Sequence, residues 1–155
     1  ALLLERSIRE NVVLPSLANI ANRFGFLKRR TENDVAKFET SRFATKMVGV
    51  EQAVGELSGG NQQKVVLASR LATNPRILLL DEPTRGVDIG AKQEIHEHIR
   101  ALAKEGVAIL VVSSDLPELL GLSDRVLVMA GGQIQGELSG DSASEEGVMS
   151  LAVAR

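Results

Sequence analysis

The pattern that most constrains the fold is a pair of apolar runs, at residues 76–81 and 107–112, with a helical stretch between them. Their continuous apolar character is typical of strands that are covered on both faces of a parallel sheet. Asp88 can cap the intervening helix, which is expected from about residue 90 to residue 105 and ends at Gly106. Strand, helix and strand would form a right-handed crossover unit. The sequence therefore predicts an α/β fold.

The part of the chain before these strands is predicted to be helical. A helix at 5–14 would be interrupted by a proline, and residues 19–30 are expected to form an irregular surface segment. A helical period of apolar residues begins after Thr31, the expected N-cap. We therefore predict a helical subdomain at 1–73 and a sheet-containing core at 74–155.

The C-terminal part continues the alternation of helices and strands. A short helix is predicted at 116–122, followed by a strand at 125–129. Two glycines then turn the chain back into a hairpin strand at 133–137, and residues 144–154 are predicted to form one amphipathic helix.

Composition excludes several classes of function. The 155 residues carry a net charge of -2 and only 3% aromatic side chains, without a basic stripe, so nucleic acid is not an expected partner. Cysteine is absent, which fits a reducing compartment. No apolar run approaches the length of a membrane span. The chain lacks an initial methionine, and we expect it to be a piece of a longer protein.

Ser58, Gly59 and Gly60 open the second long helix and are candidate phosphate ligands. A helix start leaves backbone N–H groups unpaired and carries a partial positive charge, so it attracts phosphate. Glycines allow a phosphate to approach the backbone, and a serine adds a hydroxyl donor. An ordinary serine N-cap after a flexible loop explains the same residues and is the commoner case for an isolated motif.

Asp81 and Glu82 end the first apolar run. Ligands of open α/β sheets bind at the carboxyl ends of the strands, where one carboxylate could hold magnesium and its neighbour could orient or deprotonate a water. A strand that simply ends in polar residues is the alternative. His96 and His98 lie two apart on the central helix, so they face different sides and are expected to be exposed rather than paired.

The order of these motifs is more specific than any one of them. An LSGGNQQ helix start, an apolar strand ending in Asp-Glu-Pro-Thr about twenty residues later, and then Asp88 resemble the nucleotide-binding subunit of ABC transporters. The resemblance implies an incomplete P-loop NTPase (RecA-like) core, preceded by the helical signature subdomain of a cassette. It covers nearly the whole chain.

The resemblance also implies a role for each motif. Residues 57–62 correspond to the family signature, with Asn61 where glutamine is commoner, and would contact ATP held by a second cassette in a head-to-tail arrangement. The implied signature contacts with this nucleotide are Ser58, Gly59, Gly60, Asn61 and Gln62. Asp81 would hold magnesium through water and Glu82 would be the catalytic carboxylate. Asp88 matches the D-loop aspartate, which contacts the partner cassette.

The residues of these motifs are similar to those in the second cassette of bacterial monosaccharide importers of the ribose, xylose, galactose and autoinducer type. The segments that carry this similarity are residues 57–64, 82–88 and 112–118. Membrane subunits of the transporter would then be partners, and a periplasmic sugar-binding protein would be an indirect one. The expected location is the cytoplasmic face of the bacterial inner membrane.

Two departures from the family pattern bear on activity. The sequence contains no Gly-x-x-x-x-Gly-Lys-Ser/Thr phosphate loop, so nothing in it would cradle the β- and γ-phosphates. Ser114 stands at the switch position, where most cassettes have a histidine. Serine cannot become charged, so a degenerate cassette that supports hydrolysis by its partner is one alternative function. A soluble ABC-type ATPase of DNA maintenance or translation is another.

The missing phosphate-loop segment also has an implied structural consequence. In this family its strand lies between the strands at 107–112 and 125–129, so its absence would leave unpaired backbone groups in the sheet. We therefore expect the isolated chain to oligomerise, to exchange elements or to be poorly stable.

Overall fold

The computed structural model describes residues 2–23 and 25–153. Seven α-helices lie within these residues: α1 (Ile8–Val13), α2 (Leu17–Ile20), α3 (Arg29–Arg42), α4 (Gly59–Leu71), α5 (Ile89–Lys104), α6 (Leu116–Leu122) and α7 (Glu145–Val153). The strands of the same residues are β1 (Ile77–Asp81), β2 (Ala108–Val112), β3 (Arg125–Ala130) and β4 (Gln133–Ser139). The mixture of helices with paired strands agrees with the predicted α/β class.

The chain divides into two compact units, and neither is continuous in sequence. The first consists of Ala1–Leu78 and Thr84–Ile109, and the second consists of Leu79–Pro83 and Leu110–Arg155. The predicted subdomain boundary between residues 73 and 74 stays a prediction.

Helices α1, α3 and α4 pack together in the first unit around a small apolar core. Ile8, Val12, Ala36, Phe43 and Val65 are almost completely buried there. Ser7 caps α1 through a capping box with Glu10. The predicted helix at 5–14 therefore begins later, at Ile8, and continues beyond Val13 as a 3-10 turn that contains the proline.

An ion-pair network holds the start of α3, whose N-cap is Lys28 and not the predicted Thr31. Arg9, almost buried, donates to Glu32 at 2.5 Å and to Glu51 at 2.9 Å. Arg29 donates to Glu51 at 3.0 Å. These bonds hold the first turn of α3. The irregular segment predicted at 19–30 is therefore shortened by α3 at its C-terminal end and by α2 at its N-terminal end. Phe24, in this segment, lies outside the described residues.

Strands β1 and β2 are hydrogen-bonded in parallel. The Ala108 N–H donates to the Arg76 carbonyl at 3.0 Å, and the Glu82 N–H donates to the Val112 carbonyl at 2.8 Å. The two strands thus run in the same direction, as the crossover pattern requires. Strands β3 and β4 form a separate antiparallel sheet.

The prediction that β1 and β2 are covered on both faces is wrong for the structure as described. Leu78 and Leu80 are buried, whereas Ile77 and Leu79 are 66% and 70% exposed. In β2, Leu110 is 52% exposed. The alternating exposure arises because nothing in the described residues covers the second face of this strand pair.

In the second unit, α7 packs on the β3–β4 hairpin. A Cβ on Gly136 would lie 2.8 Å from a methyl carbon of Leu151, so the glycine permits the close approach of helix and strand. The register of the hairpin shifts between Val128 and Met129. Both the hairpin and α7 were predicted, and each differs from its predicted bounds by one or two residues.

His98 was predicted to be exposed, but it is partly buried in the structure. Its ring is 5.0 Å from that of Phe43, in an edge-to-face arrangement at 72°. Burial of the imidazole lowers the pKa of His98 below its ordinary value. Within residues 2–23 and 25–153, no helix combines the length and apolar character needed to cross a bilayer.

Candidate functional site

The predicted site residues fall into two groups, one in each unit. Ser58, its four neighbours in the signature and Asp88 belong to the first unit, whereas Asp81, Glu82 and Ser114 belong to the second. We describe each group by itself.

Ser58 occupies the N-cap position of α4, as predicted, with extended backbone angles. Its side chain makes no capping bond to the backbone of the helix. The Ser58 Oγ instead accepts a hydrogen bond from Asn61 Nδ2 at 2.9 Å. Asn61 Oδ1 in turn accepts from the backbone N–H of Lys46 at 2.8 Å. Asn61 therefore connects the start of α4 to the segment before it.

Gln62 belongs to the same turn and also bonds to residues that precede it in the chain. Its side-chain amide donates to the carbonyl of Leu57 at 3.0 Å, and its backbone N–H donates to the carbonyl of Ser58 at 2.9 Å. Gln62 thus stabilises the entry into α4.

The two glycines of the signature have different surroundings. Gly60 is buried, and a Cβ there would lie 2.8 Å from the Cβ of Ala91 on α5. Gly59 is exposed, and its nearest neighbour would be the Gly86 carbonyl at 3.7 Å. Helix packing alone accounts for glycine at position 60, whereas Gly59 leaves its backbone open to a ligand.

The start of α4 and the start of α5 line one cleft of about 330 Å³. The lining residues are Lys46, Ser58, Gly60, Asn61, Lys64, Asp88, Gly90, Ala91 and Glu94. Asp88 caps α5, because its Oδ1 accepts from the Ala91 N–H at 2.9 Å. The structure thus brings Asp88 together with most of the signature residues.

Lys64 and Glu94 form an ion pair at this cleft that the sequence patterns did not indicate. The Lys64 side chain is 3% exposed, whereas that of Glu94 is 47% exposed. The hydrogen bond from Lys64, followed by its positive charge, lowers the pKa of Glu94 below its ordinary value. The two residues belong to different helices, so no spacing rule within one helix could have found them.

In the second unit, Glu82 is held at two points. Its φ is 48°, a left-handed conformation that is uncommon for a residue with a side chain. Its backbone N–H donates to the Val112 carbonyl at 2.8 Å. Its Oε1 accepts from the backbone N–H of Ser114 at 2.7 Å. The carboxylate is therefore oriented by the main chain of the predicted switch position, while Asp81 is exposed beside it.

The loop that supplies the Ser114 N–H is itself fixed by side chains. Ser113 Oγ donates to Glu118 Oε2 at 2.5 Å and accepts from the Asp115 N–H at 3.1 Å. Asp115 Oδ1 accepts from the Glu118 N–H at 3.2 Å and so caps α6. Ser113 and Glu118 were not predicted as site residues. The spacing of Asp115 and Glu118, typical of a helix start, was the available signal.

The described residue that could hold a magnesium ion at this site is Asp81, at the end of β1. Among residues 2–23 and 25–153, no group of three or more His, Asp or Glu side chains could hold a metal ion. Magnesium is usually held by one or two carboxylates together with phosphate oxygens and water. Asp81, exposed at the end of β1, fits that mode of binding.

Comparison with known proteins extends over nearly the whole chain. The chain is 52% identical over 149 residues to the ribose import ATP-binding protein RbsA 2 of Rhizobium etli. The aligned residues cover 96% of this chain and 29% of that relative. It is 50% identical over 151 residues to the xylose import ATP-binding protein XylG of Moorella thermoacetica, or 97% of the chain and 30% of that relative. The chain thus spans less than a third of these relatives' lengths.

Solved structures of ATP-binding cassettes share the fold. The cassette MJ0796, in a dimeric post-hydrolysis state bound to ADP and Pi, superimposes with a TM-score of 0.76 at 26% identity, covering 89% of this chain and 58% of that one. The cassette MJ1267 gives a TM-score of 0.79 at 24% identity, covering 98% and 64%. The predicted fold class is confirmed.

A family model described as ABC transporter matches residues 2–85, which is more than half of the chain. That stretch contains the signature and both carboxylates at the end of β1. The family suggested by the motifs is confirmed, and the chain belongs to the ABC transporter family.

Proposed function

We propose that this chain is part of an ATP-hydrolysing subunit that energises monosaccharide import. It contributes the signature, Walker B, D-loop and switch segments, and the phosphate loop comes from outside its 155 residues. The observation that carries the proposal is the orientation of Glu82, whose carboxylate is fixed at the carboxyl end of β1 by the Ser114 N–H. Relatives at about 50% identity named for ribose and xylose import support the substrate class.

The first cleft has the groups needed to bind the phosphates of an ATP held by a second cassette. Ser58 and Gly59 are exposed at the start of a 13-residue helix, where backbone N–H groups and the helix dipole favour an anion. Asp88 lies at the same cleft and would contact the partner cassette, as the family pattern implies. Asn61 and Gln62, which the motif assigns to the same nucleotide, both bond within the protein.

The second group would serve a nucleotide bound to its own cassette. Asp81 would hold magnesium through water, and the ion would neutralise developing phosphate charge. Glu82 has one oxygen bonded to Ser114. Its second oxygen can orient a water or accept its proton, which is the task of a general base.

Partners and location follow from the same assignment. A second cassette in head-to-tail arrangement contributes to both nucleotide sites, and the transporter's membrane subunits receive the energy of hydrolysis. A periplasmic sugar-binding protein takes part indirectly. The assembly places the chain on the cytoplasmic face of the bacterial inner membrane.

Ser114 favours one second candidate, a degenerate cassette that supports hydrolysis by its partner. A serine side chain cannot carry the charge of the histidine found there in most cassettes. The candidates differ in whether Glu82 is needed for turnover at its own site.

The test is hydrolysis of MgATP by the complete protein, combined with uptake of labelled ribose and xylose by vesicles that contain the whole transporter. We expect coupled hydrolysis and uptake, and no ATP binding by the 155-residue chain alone. Hydrolysis without uptake would favour the soluble ATPase. Hydrolysis that survives loss of Glu82 would favour the degenerate cassette, and micromolar ATP binding by the isolated chain would contradict the need for an external phosphate loop.

A further inference from the structure

We propose that Asn61 is a positioning residue that directs the hydroxyl proton of Ser58 toward the bound nucleotide, and that Asn61 does not itself bind the nucleotide. This inference rests on the proposed function, in which the start of α4 binds the phosphates of an ATP held by a partner cassette. It assigns Asn61 a different role from the direct contact that the motif implies.

The orientation of the Asn61 amide is determined by the backbone of Lys46. A backbone N–H can only donate, so the Asn61 atom that faces it at 2.8 Å must be the carbonyl oxygen, Oδ1. The amide nitrogen, Nδ2, then faces Ser58 Oγ at 2.9 Å. Because this nitrogen can only donate, Ser58 must act as the acceptor.

This bond determines where the Ser58 proton can go. A hydroxyl has one proton and two acceptor lone pairs. One lone pair is engaged by Asn61, so the O–H bond must point away from it. Ser58 is exposed and lines the cleft at the start of α4. A phosphate oxygen at that position accepts hydrogen bonds but donates none, so it requires a hydroxyl turned in this direction.

The absence of a normal capping bond supports the same conclusion. An N-cap serine usually accepts from a backbone N–H of the first helical turn, but Ser58 makes no such bond. The backbone N–H groups at the start of α4 are therefore not occupied by the serine. Asn61 keeps the hydroxyl in place while these N–H groups remain available to the same anion.

The test is a double-mutant cycle on ATP hydrolysis by the complete protein, using Asn61→Leu, Ser58→Ala and the double variant. Leucine has nearly the shape of asparagine but makes neither hydrogen bond. We expect Ser58→Ala to lose about tenfold or more in the rate of hydrolysis, since a donor to a charged group is removed. Asn61→Leu should lose a similar or smaller factor, since the hydroxyl remains but is no longer oriented. The double variant should be no slower than Ser58→Ala, because Asn61 acts through that hydroxyl.

Three controls separate positioning from general damage. Gln63→Leu makes the same kind of change on the same helix, at a residue that does not line the cleft, and should hydrolyse ATP at the wild-type rate. Thermal unfolding should show that Asn61→Leu remains folded at the assay temperature. Asn61→Gln, which restores an amide at this position, should recover most of the activity.

The outcomes distinguish the inference from the function on which it rests. Losses that multiply in the double variant would show that Asn61 acts independently of Ser58 and would overturn the inference while leaving the proposed function intact. Wild-type activity in Asn61→Leu would overturn it as well. A complete wild-type protein that hydrolyses no ATP would contradict the proposed function and, with it, the nucleotide-directed role of Asn61.

Discussion

Gly60 on α4 faces Ala91 on α5 so closely that a Cβ on the glycine would lie 2.8 Å from the Cβ of the alanine. Real Cβ atoms do not approach to this distance, so any larger residue at position 60 must separate the two helix starts. The glycine is therefore a packing requirement of the first unit, in addition to any role near a phosphate.

Gly60→Ala should destabilise the protein by about 1–3 kcal/mol, the usual range for overpacking a well-packed contact. Gly59→Ala is the matched control, because its Cβ would lie 3.7 Å from the Gly86 carbonyl oxygen, an ordinary contact distance, and should be tolerated. Urea unfolding of both variants measures the difference. Ala91→Gly added to Gly60→Ala should restore part of the loss, and equal stabilities of the two single variants would refute the packing explanation.

The ion pair between Lys64 and Glu94 predicts a clear asymmetry between two substitutions. Glu94→Gln leaves the ammonium of Lys64, which is 3% exposed, without a carboxylate, and should lower the free energy of unfolding at pH 7. Lys64→Met removes the buried charge itself and should cost less or nothing. Chemical denaturation of the two variants tests the order, which the reverse result would contradict.

The same pair also contributes to the pH dependence of stability. The pKa of Glu94 is lower in the folded protein than its ordinary value of 4.5, so the folded state favours the charged carboxylate. Its contribution is complete above that value and is lost as the pH falls through the lowered pKa. The measurement compares the free energy of unfolding of the wild type with that of Glu94→Gln between about pH 3 and pH 6, the range in which carboxyl groups titrate. The difference between the two proteins should become smaller as the pH is lowered.

His98 predicts a second pH effect, at higher pH. Burial lowers its pKa below the ordinary value of 6.5, so the unfolded state takes up a proton before the folded state does. The free energy of unfolding should therefore fall as the pH drops below 6.5, until the lowered pKa is passed. His98→Gln should flatten this part of the profile in urea unfolding, and an unchanged slope would show that His98 is not the group responsible.

Glu82→Gln tests the proposed catalytic carboxylate without removing its anchor. The glutamine carbonyl can still accept the Ser114 N–H, which Glu82 accepts at 2.7 Å, so the loop should keep its position. Phosphate release by the complete protein should fall by about 100-fold or more, as expected for loss of a general base. Glu137→Gln, at an exposed ion pair with Arg125, is a control that should remain active.

Local signals predicted the elements of this fold well where they were strong. Helix α6 has the predicted bounds because Asp115 caps it and a proline follows in its first turn. The start of α3 was misplaced because the ion pairs that hold it, Arg9 with Glu32 and Arg29 with Glu51, join residues that are far apart in the sequence. The exposed face of β1 was also not predicted, since an apolar run does not reveal whether other elements pack on both faces of the strand.

The candidate site was predictable in its residue types but not in its bonds. The motifs indicated Ser58, Glu82 and Ser114, yet no pattern indicated that Ser114 holds Glu82 through its backbone. Likewise, Asn61 was singled out as a ligand, and its link to Lys46 became visible only in three dimensions.

The interleaving of the two units has a consequence for synthesis on the ribosome. Leu79–Pro83 belongs with Leu110–Arg155, although Thr84–Ile109 joins the first unit. As the chain emerges from its N-terminus, these five residues appear before any other part of their unit has been translated. Residues 79–83 can therefore pack within their own unit only after Leu110 and the residues that follow it have been synthesised.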